Sequence, residues 1–157
     1  MKAEHINAFL APIIDVIEKT IHIEASIGNI KRKTFVDLDK QVTILIEMNG
    51  DLNGFILLSI VKKVAVKIAA SMFNSNKIIE FNKDVVSALS ELGNMIIGNI
   101  TGSLYEIGLK ERISVPALVL EGDDIPEIDV DTSVTIPVET ELGLIDFILC
   151  LTDERAT

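Results

Sequence analysis

The chain has 157 residues, 48% of them hydrophobic, which is enough for one substantial core and cramped for two, so residues 1–157 are expected to form a single domain. Fourteen basic against twenty-four acidic side chains give a net charge of −10, which disfavours nucleic-acid binding; Lys31-Arg32-Lys33 is the one basic cluster. The lone Cys150 excludes an internal disulfide framework and makes a reducing cytoplasm the expected compartment, and no apolar stretch is long enough to cross a bilayer.

Ile6, Phe9, Leu10, Ile13, Ile14, Ile17 and Ile21 recur at helical spacing and predict a first helix, with Pro12 requiring that it begin late or bend. The segment before Asp15 has no clean apolar run, so no secretory signal is expected. From His22 to Val36 the period shortens toward alternation. Val42–Met48 and Gly54–Val61 then read as two strands around Asn49-Gly50-Asp51, a hairpin signal. Lys62–Phe73 predicts a short helix with Val64, Ala65, Ile68, Ala69 and Met72 inward, and Asn74-Ser75-Asn76-Lys77 a polar break. A long helix is predicted from Asp84 to Ile107, opened by Asn82 or Asp84 and closed by Gly108. The remainder reads as strands over 113–120, 133–139 and 143–152, with Cys150 packing as a small apolar residue and Pro137 marking an edge or irregular strand.

An internal echo organises these elements. Val42-Thr43-Ile44, Glu47 and Phe55-Ile56-Leu57 match Val134-Thr135-Ile136, Glu139 and Phe147-Ile148-Leu149 at a constant offset of 92 residues, which predicts two copies of a helix-plus-hairpin unit. The expected fold is α+β, with helices on a mostly antiparallel sheet built from two pseudo-symmetric halves. In the first helix Glu4 and Asn7 repeat a Glu-x2-Asn spacing, but Ala11 stands where the second copy has Gly98 and Pro12 follows, so this copy reads as degenerate.

The long helix carries the candidate site. Positions 87, 91, 94, 98, 101 and 105 fall in one seam, opposite an apolar side made of Val85, Leu89, Leu92, Ile96, Ile97, Ile100 and Leu104. The seam holds Ser87, Glu91, Asn94, Gly98, Thr101 and Tyr105 in place of the Lys/Glu mixture of a merely solvated helix. Gly98 costs about 1 kcal/mol of helix stability relative to Ala, yet leaves a bare spot one turn from the Asn94 carboxamide. Other chemistries lack their residues. Gly93-x4-Gly98 is followed by Asn99 where a phosphate-binding loop needs Lys, His5 and His22 have no partners at zinc-ligand spacing, and no Gly-x-Ser-x-Gly elbow occurs.

Ser87-x3-Glu91-x2-Asn94, continuing as Met95-Ile96-Ile97-Gly98-Asn99-Ile100-Thr101-Gly102 with Pro116 downstream, resembles the signature of the CheC/CheX/FliY chemotaxis phosphatases; so does the opening Met1-Lys2-Ala3-Glu4-His5-Ile6-Asn7. The single complete motif and the short length look most like the CheX branch. The resemblance implies a CheC/CheX-like domain that hydrolyses the aspartyl-phosphate of a CheY-type response regulator, with Glu91 and Asn94 as the catalytic residues. Asn94 would orient the attacking water, Glu91 would pair with a regulator lysine, and Ser87, Gly98 and Thr101 would support or contact the partner. It implies no cofactor or metal of the protein's own, magnesium on the regulator, and a cytoplasmic homodimer with no nucleic-acid or membrane partner. Alternatives are a catalytically silent interaction module of the same fold, or a purely structural dimerisation domain.

Overall fold

The computed structural model describes residues 1–156 apart from 37, 39 and 129–131. Helix α1 (Ala3–Ile21) leads into short strands β1 (Ala25–Ile27) and β2 (Lys31–Lys33), then the long strands β3 (Val42–Gly50) and β4 (Leu52–Ile60). Helices α2 (Lys62–Met72) and α3 (Lys83–Glu106) follow, then short strands β5 (Glu111–Ile113) and β6 (Ala117–Leu120), and long strands β7 (Ser133–Thr140) and β8 (Gly143–Asp153). One antiparallel sheet runs in the order β1-β7-β8-β4-β3-β5, with β2 also on β7 and β6 also on β3. All three helices bury their apolar stripes on one face of it. Phe9, Ile13 and Ile17 of α1, Ile68 of α2 and Leu92, Ile96 and Ile100 of α3 meet Ile44, Ile56, Ile136 and Phe147 in the main core. On the other face a small cluster of Leu57, Ile148 and Cys150 lies under Val36, Leu38 and Ile128 from the connecting segments. Burial there pushes the Cys150 thiol up to about 12, so it packs as an apolar group.

The two hairpins meet at β4 and β8, which pair antiparallel at the centre, so the architecture has the expected two-fold character. The helices obey it closely. His5 and Leu92, Ile6 and Gly93, Phe9 and Ile96, Ile13 and Ile100, and Ile17 and Leu104 are all buried pairs 87 residues apart. The ungapped 92-residue echo, however, is a structural correspondence only in the first strand of each hairpin. Val42, Ile44 and Ile46 face the helices as Val134, Ile136 and Val138 do. In the second strands the matched residues point to opposite faces: Ile56 lies in the main core and Ile148 in the small back cluster, while Leu57 and Leu149 are reversed. The cause is loop length. The last pair of the first hairpin, Met48 with Gly54, encloses residues 49–53, whereas Thr140 with Gly143 encloses only Glu141 and Leu142. An odd difference in loop length shifts the register by an odd number, and strand side chains alternate faces with period two.

Pro12, Pro116, Pro137 and Gly50 each sit where the surrounding backbone accommodates them. Helix α1 starts at Ala3 and passes through Pro12 without a break. The proline removes the donor to the Ala8 carbonyl, but the buried stripe from Ile6 to Ile21 holds the helix on the sheet across the defect. Pro137 is not on an edge strand, since β7 has β8 on one side and β1 and β2 on the other. It sits opposite the gap between them: β2 pairs with Ser133–Thr135 and β1 with Val138–Thr140, so the missing N–H falls where no ladder partner is needed. The strand expected over 113–120 is divided at Pro116 into β5 and β6; between them Ser114 takes up the ladder, its Oγ accepting from Glu47 N at 2.9 Å. In the first hairpin turn Gly54, not Gly50, has a positive φ (134°). Gly50 is a close-approach residue, because a Cβ there would lie 2.2 Å from the Lys110 carbonyl oxygen.

That turn closes an acidic end of the sheet. Glu111 Oε1 accepts from Leu52 N at 2.9 Å, while its Oε2 is buried without a hydrogen-bond partner. Desolvation raises the Glu111 pKa above its ordinary 4.5; Asp51 and Asp153 raise it further, opposed by the Leu52 hydrogen bond and Arg155. A carboxyl with a raised folded-state pKa contributes stability that is present below its unfolded value and is lost as pH rises through the folded value. Glu111→Gln, which keeps the acceptor for Leu52, should therefore raise the thermal midpoint at neutral pH, and the gain should vanish near about pH 4. Thermal unfolding of both proteins at the two pH values checks this.

Candidate functional site on helix α3

Helix α3 is fixed at both ends. Asn82 is the N-cap, its Oδ1 accepting from Asp84 N at 2.9 Å and Val85 N at 3.3 Å, and Asp84 adds a negative charge to the first turn. At the other end Gly108 takes φ 80°, and the Leu109 N–H returns to the Leu104 carbonyl as Leu109 buries its side chain. Between these caps the buried face is Val85, Ala88, Leu89, Leu92, Gly93, Ile96, Ile100 and Leu104. Ile97, expected on that face, is only half-buried at its border.

The structure places every predicted seam residue on the exposed side. Ser87, Glu91, Asn94, Gly98, Thr101 and Tyr105 are all exposed, and at 1.5 Å per residue they form a ridge of about 27 Å. Their hydrogen bonding divides them. Thr101 Oγ1 donates to the Ile97 carbonyl at 2.7 Å and is spent on its own helix. Neighbouring Ser90 and Asn99 likewise bond to Val86 and Met95 carbonyls. Among the described residues, the side chains of Ser87, Glu91 and Asn94 have no intramolecular hydrogen bond or ion pair. No hydrogen bond joins Ser87 to Glu91. A carboxylate and a carboxamide three residues apart thus face outward with all their hydrogen-bonding capacity unspent. Glu4 and Asn7 of α1 are also exposed and occupy the equivalent place 87 residues earlier.

The two glycines flanking Asn94 do different things. A Cβ on Gly98 would meet nothing within 4 Å, so packing does not require this glycine, and its bareness faces solvent. Gly93 is the opposite case: its Cβ would come within 3.0 Å of Pro116 Cβ and Cγ and 3.3 Å of Ile44 Cγ2. Pro116 therefore seats α3 on the sheet one residue before Asn94. The sequence offered Gly93 and Pro116 separately, and the contact became visible only when β5 and β6 brought the proline under the helix. Gly93→Val should force the helix off this seat and lower the thermal midpoint by about 2–8 °C, a cost of about 1–2 kcal/mol from overpacking. Differential scanning calorimetry measures it, with Gly98→Ala as the control expected to be neutral or stabilising.

Helix α1 runs antiparallel beside α3. Thr20 Oγ1 reaches Met95 Sδ at 3.6 Å, and farther along an open groove is lined by Ala11, Pro12, Asp15 and Glu18 on one side and by Gly98, Gly102, Ser103 and Glu106 on the other. Among the described residues no helix is long and apolar enough to cross a membrane, and no three His, Cys, Asp or Glu side chains form a group suited to a metal ion.

The chain is 24% identical, over 119 residues, to the CheY-P phosphatase CheX of Thermotoga maritima, covering 76% of this chain and 77% of that protein. Its fold matches the crystal structure of a chemotaxis protein CheX from Desulfovibrio desulfuricans with a TM-score of 0.82, at 22% identity over 95% of this chain and 99% of that one. It also matches the CheX–CheY–BeF3–Mg2+ complex from Borrelia burgdorferi with a TM-score of 0.73, at 20% identity over 94% and 97% of the respective chains. The sequence profile of the chemotaxis phosphatase CheX fits residues 42–139, a span that holds the whole of α3 and its Pro116 seat. With the predicted motif exposed on the helix that this span contains, the chain belongs to the chemotaxis phosphatase CheX family.

Proposed function

We propose that this protein is a phosphatase that accelerates loss of the aspartyl-phosphate from a CheY-type response regulator in a chemotaxis two-component pathway. The observation that carries the reading is the pair Glu91 and Asn94, exposed and without partners among the described residues, on a helix capped at both ends and seated by Gly93 on Pro116. An acyl phosphate is already activated, so the protein need supply no nucleophile. Water attacks phosphorus, the P–O bond to the regulator aspartate breaks, the aspartate leaves as a carboxylate and the water becomes part of inorganic phosphate. Asn94, with one acceptor and two donor hydrogens, holds that water in line with the breaking bond, the role Gln has in related phosphoryl-transfer sites. Glu91 pairs with a lysine of the regulator and sets the depth of the ridge, while Ser87 and the Thr101 methyl contact the rim. Magnesium belongs to the regulator, and this chain contributes no cofactor. Phosphate release from an excess of phosphorylated regulator tests the reading: many turnovers per protein support it, and release at the regulator's own rate refutes it.

In this reading the protein acts in the cytoplasm as a homodimer. Light scattering at micromolar concentration should give twice the 17.2 kDa chain mass. A single-chain mass would contradict the dimer and leave the site assignment standing.

A further inference from the structure

The groove between α1 and α3 adjoins the ridge at Gly98 and has a chemical character of its own. Its floor is bare on the α3 side, since a Cβ on either Gly98 or Gly102 would meet nothing within 4 Å. Its rim is acidic: Asp15 and Glu18 from α1 and Glu106 from α3. Lys19 is the cation beside them, held to Asp15 at 2.9 Å, and Glu18 accepts from Ala25 N at 3.3 Å, which leaves Glu106 as the carboxylate with no partner among the described residues. Neither glycine is needed for packing, and each costs the helix about 1 kcal/mol relative to Ala. Tyr105, 72% exposed, stands beside Glu106 at the end of the ridge and offers a rigid amphipathic contact of the kind favoured at interface centres.

We propose that this groove is the second half of the docking surface, and that Gly102 and Glu106 select a response regulator presenting a basic side chain on a short apolar segment there. The inference rests on the regulator being the partner of the ridge. Continuity through Gly98 places the groove one turn from Asn94, so one partner spans both, and three carboxylates against one ammonium make a cation the complement. The groove acts on binding alone, because its residues lie beyond the water-orienting carboxamide.

The test uses the full chain and a CheY-type regulator, phosphorylated with acetyl phosphate, on which the wild type is active. Gly102→Leu fills the floor without touching the fold, and Glu106→Lys reverses the rim. Each should raise KM by about tenfold while leaving kcat within about twofold, and Glu106→Lys should also flatten the salt dependence of KM. Unchanged KM in both Gly102→Leu and Glu106→Lys, with circular dichroism unaltered, overturns the groove assignment. If Asn94→Ala still abolishes turnover in the same assay, the proposed function survives that failure; if it does not, the failure lies in the function itself.

Discussion

Asn94→Ala should lower the single-turnover rate of regulator dephosphorylation by a factor on the order of 10² or more while leaving the fold intact. The carboxamide is exposed and bonds to nothing among the described residues, so its removal leaves no buried group unsatisfied, and Ala is the better helix former. What is lost is the group that holds water in line with phosphorus. The remaining ridge still binds, so the complex forms and does not turn over. Glu4→Ala and Asn7→Ala should leave the rate unchanged, because α1 presents only the degenerate copy beside Ala11 and Pro12. Rapid-mixing kinetics on the three variants, with circular dichroism as folding control, provide the comparison.

Glu91→Ala should act on affinity. Loss of a charge-assisted contact with a regulator lysine costs about 1.5–3 kcal/mol, equivalent to about a 10- to 150-fold rise in KM. The defect should shrink as regulator concentration rises and as salt screens the wild-type contact. Glu91→Gln should fall between the two, since it keeps an acceptor and loses the charge. A KM unchanged by Glu91→Ala, with kcat reduced instead, would move Glu91 from docking to the chemical step.

The helices and the site seam were legible in the sequence because both depend on one periodicity. Residues such as Ile96 and Ile100 define an inward stripe, and the opposite face follows from geometry. Strand register was less legible. The echo from Phe55-Ile56-Leu57 to Phe147-Ile148-Leu149 is real in the sequence, but five residues in one turn against two in the other place those triplets on opposite faces. The early start of α1 and the strands flanking Pro137 were illegible for a related reason, because the cost of a missing N–H depends on what lies opposite it. Pro12 is carried by the core contacts of its helix, and Pro137 falls at a gap between two edge strands that neither strand announces alone. The Gly93–Pro116 seat joins two elements across a sheet edge, and no local pattern reports such a contact.

The phosphoryl lifetime on a CheY-type regulator, followed with stoichiometric wild-type protein and with Asn94→Ala under conditions where both are bound, tests the central claim most directly. The account predicts a shortened lifetime with the wild type and one close to the regulator's intrinsic value with the variant. A lifetime shortened equally by both, or by neither although the complex forms, would contradict the assignment of Asn94, and the second result would make the protein a binding module without catalytic function.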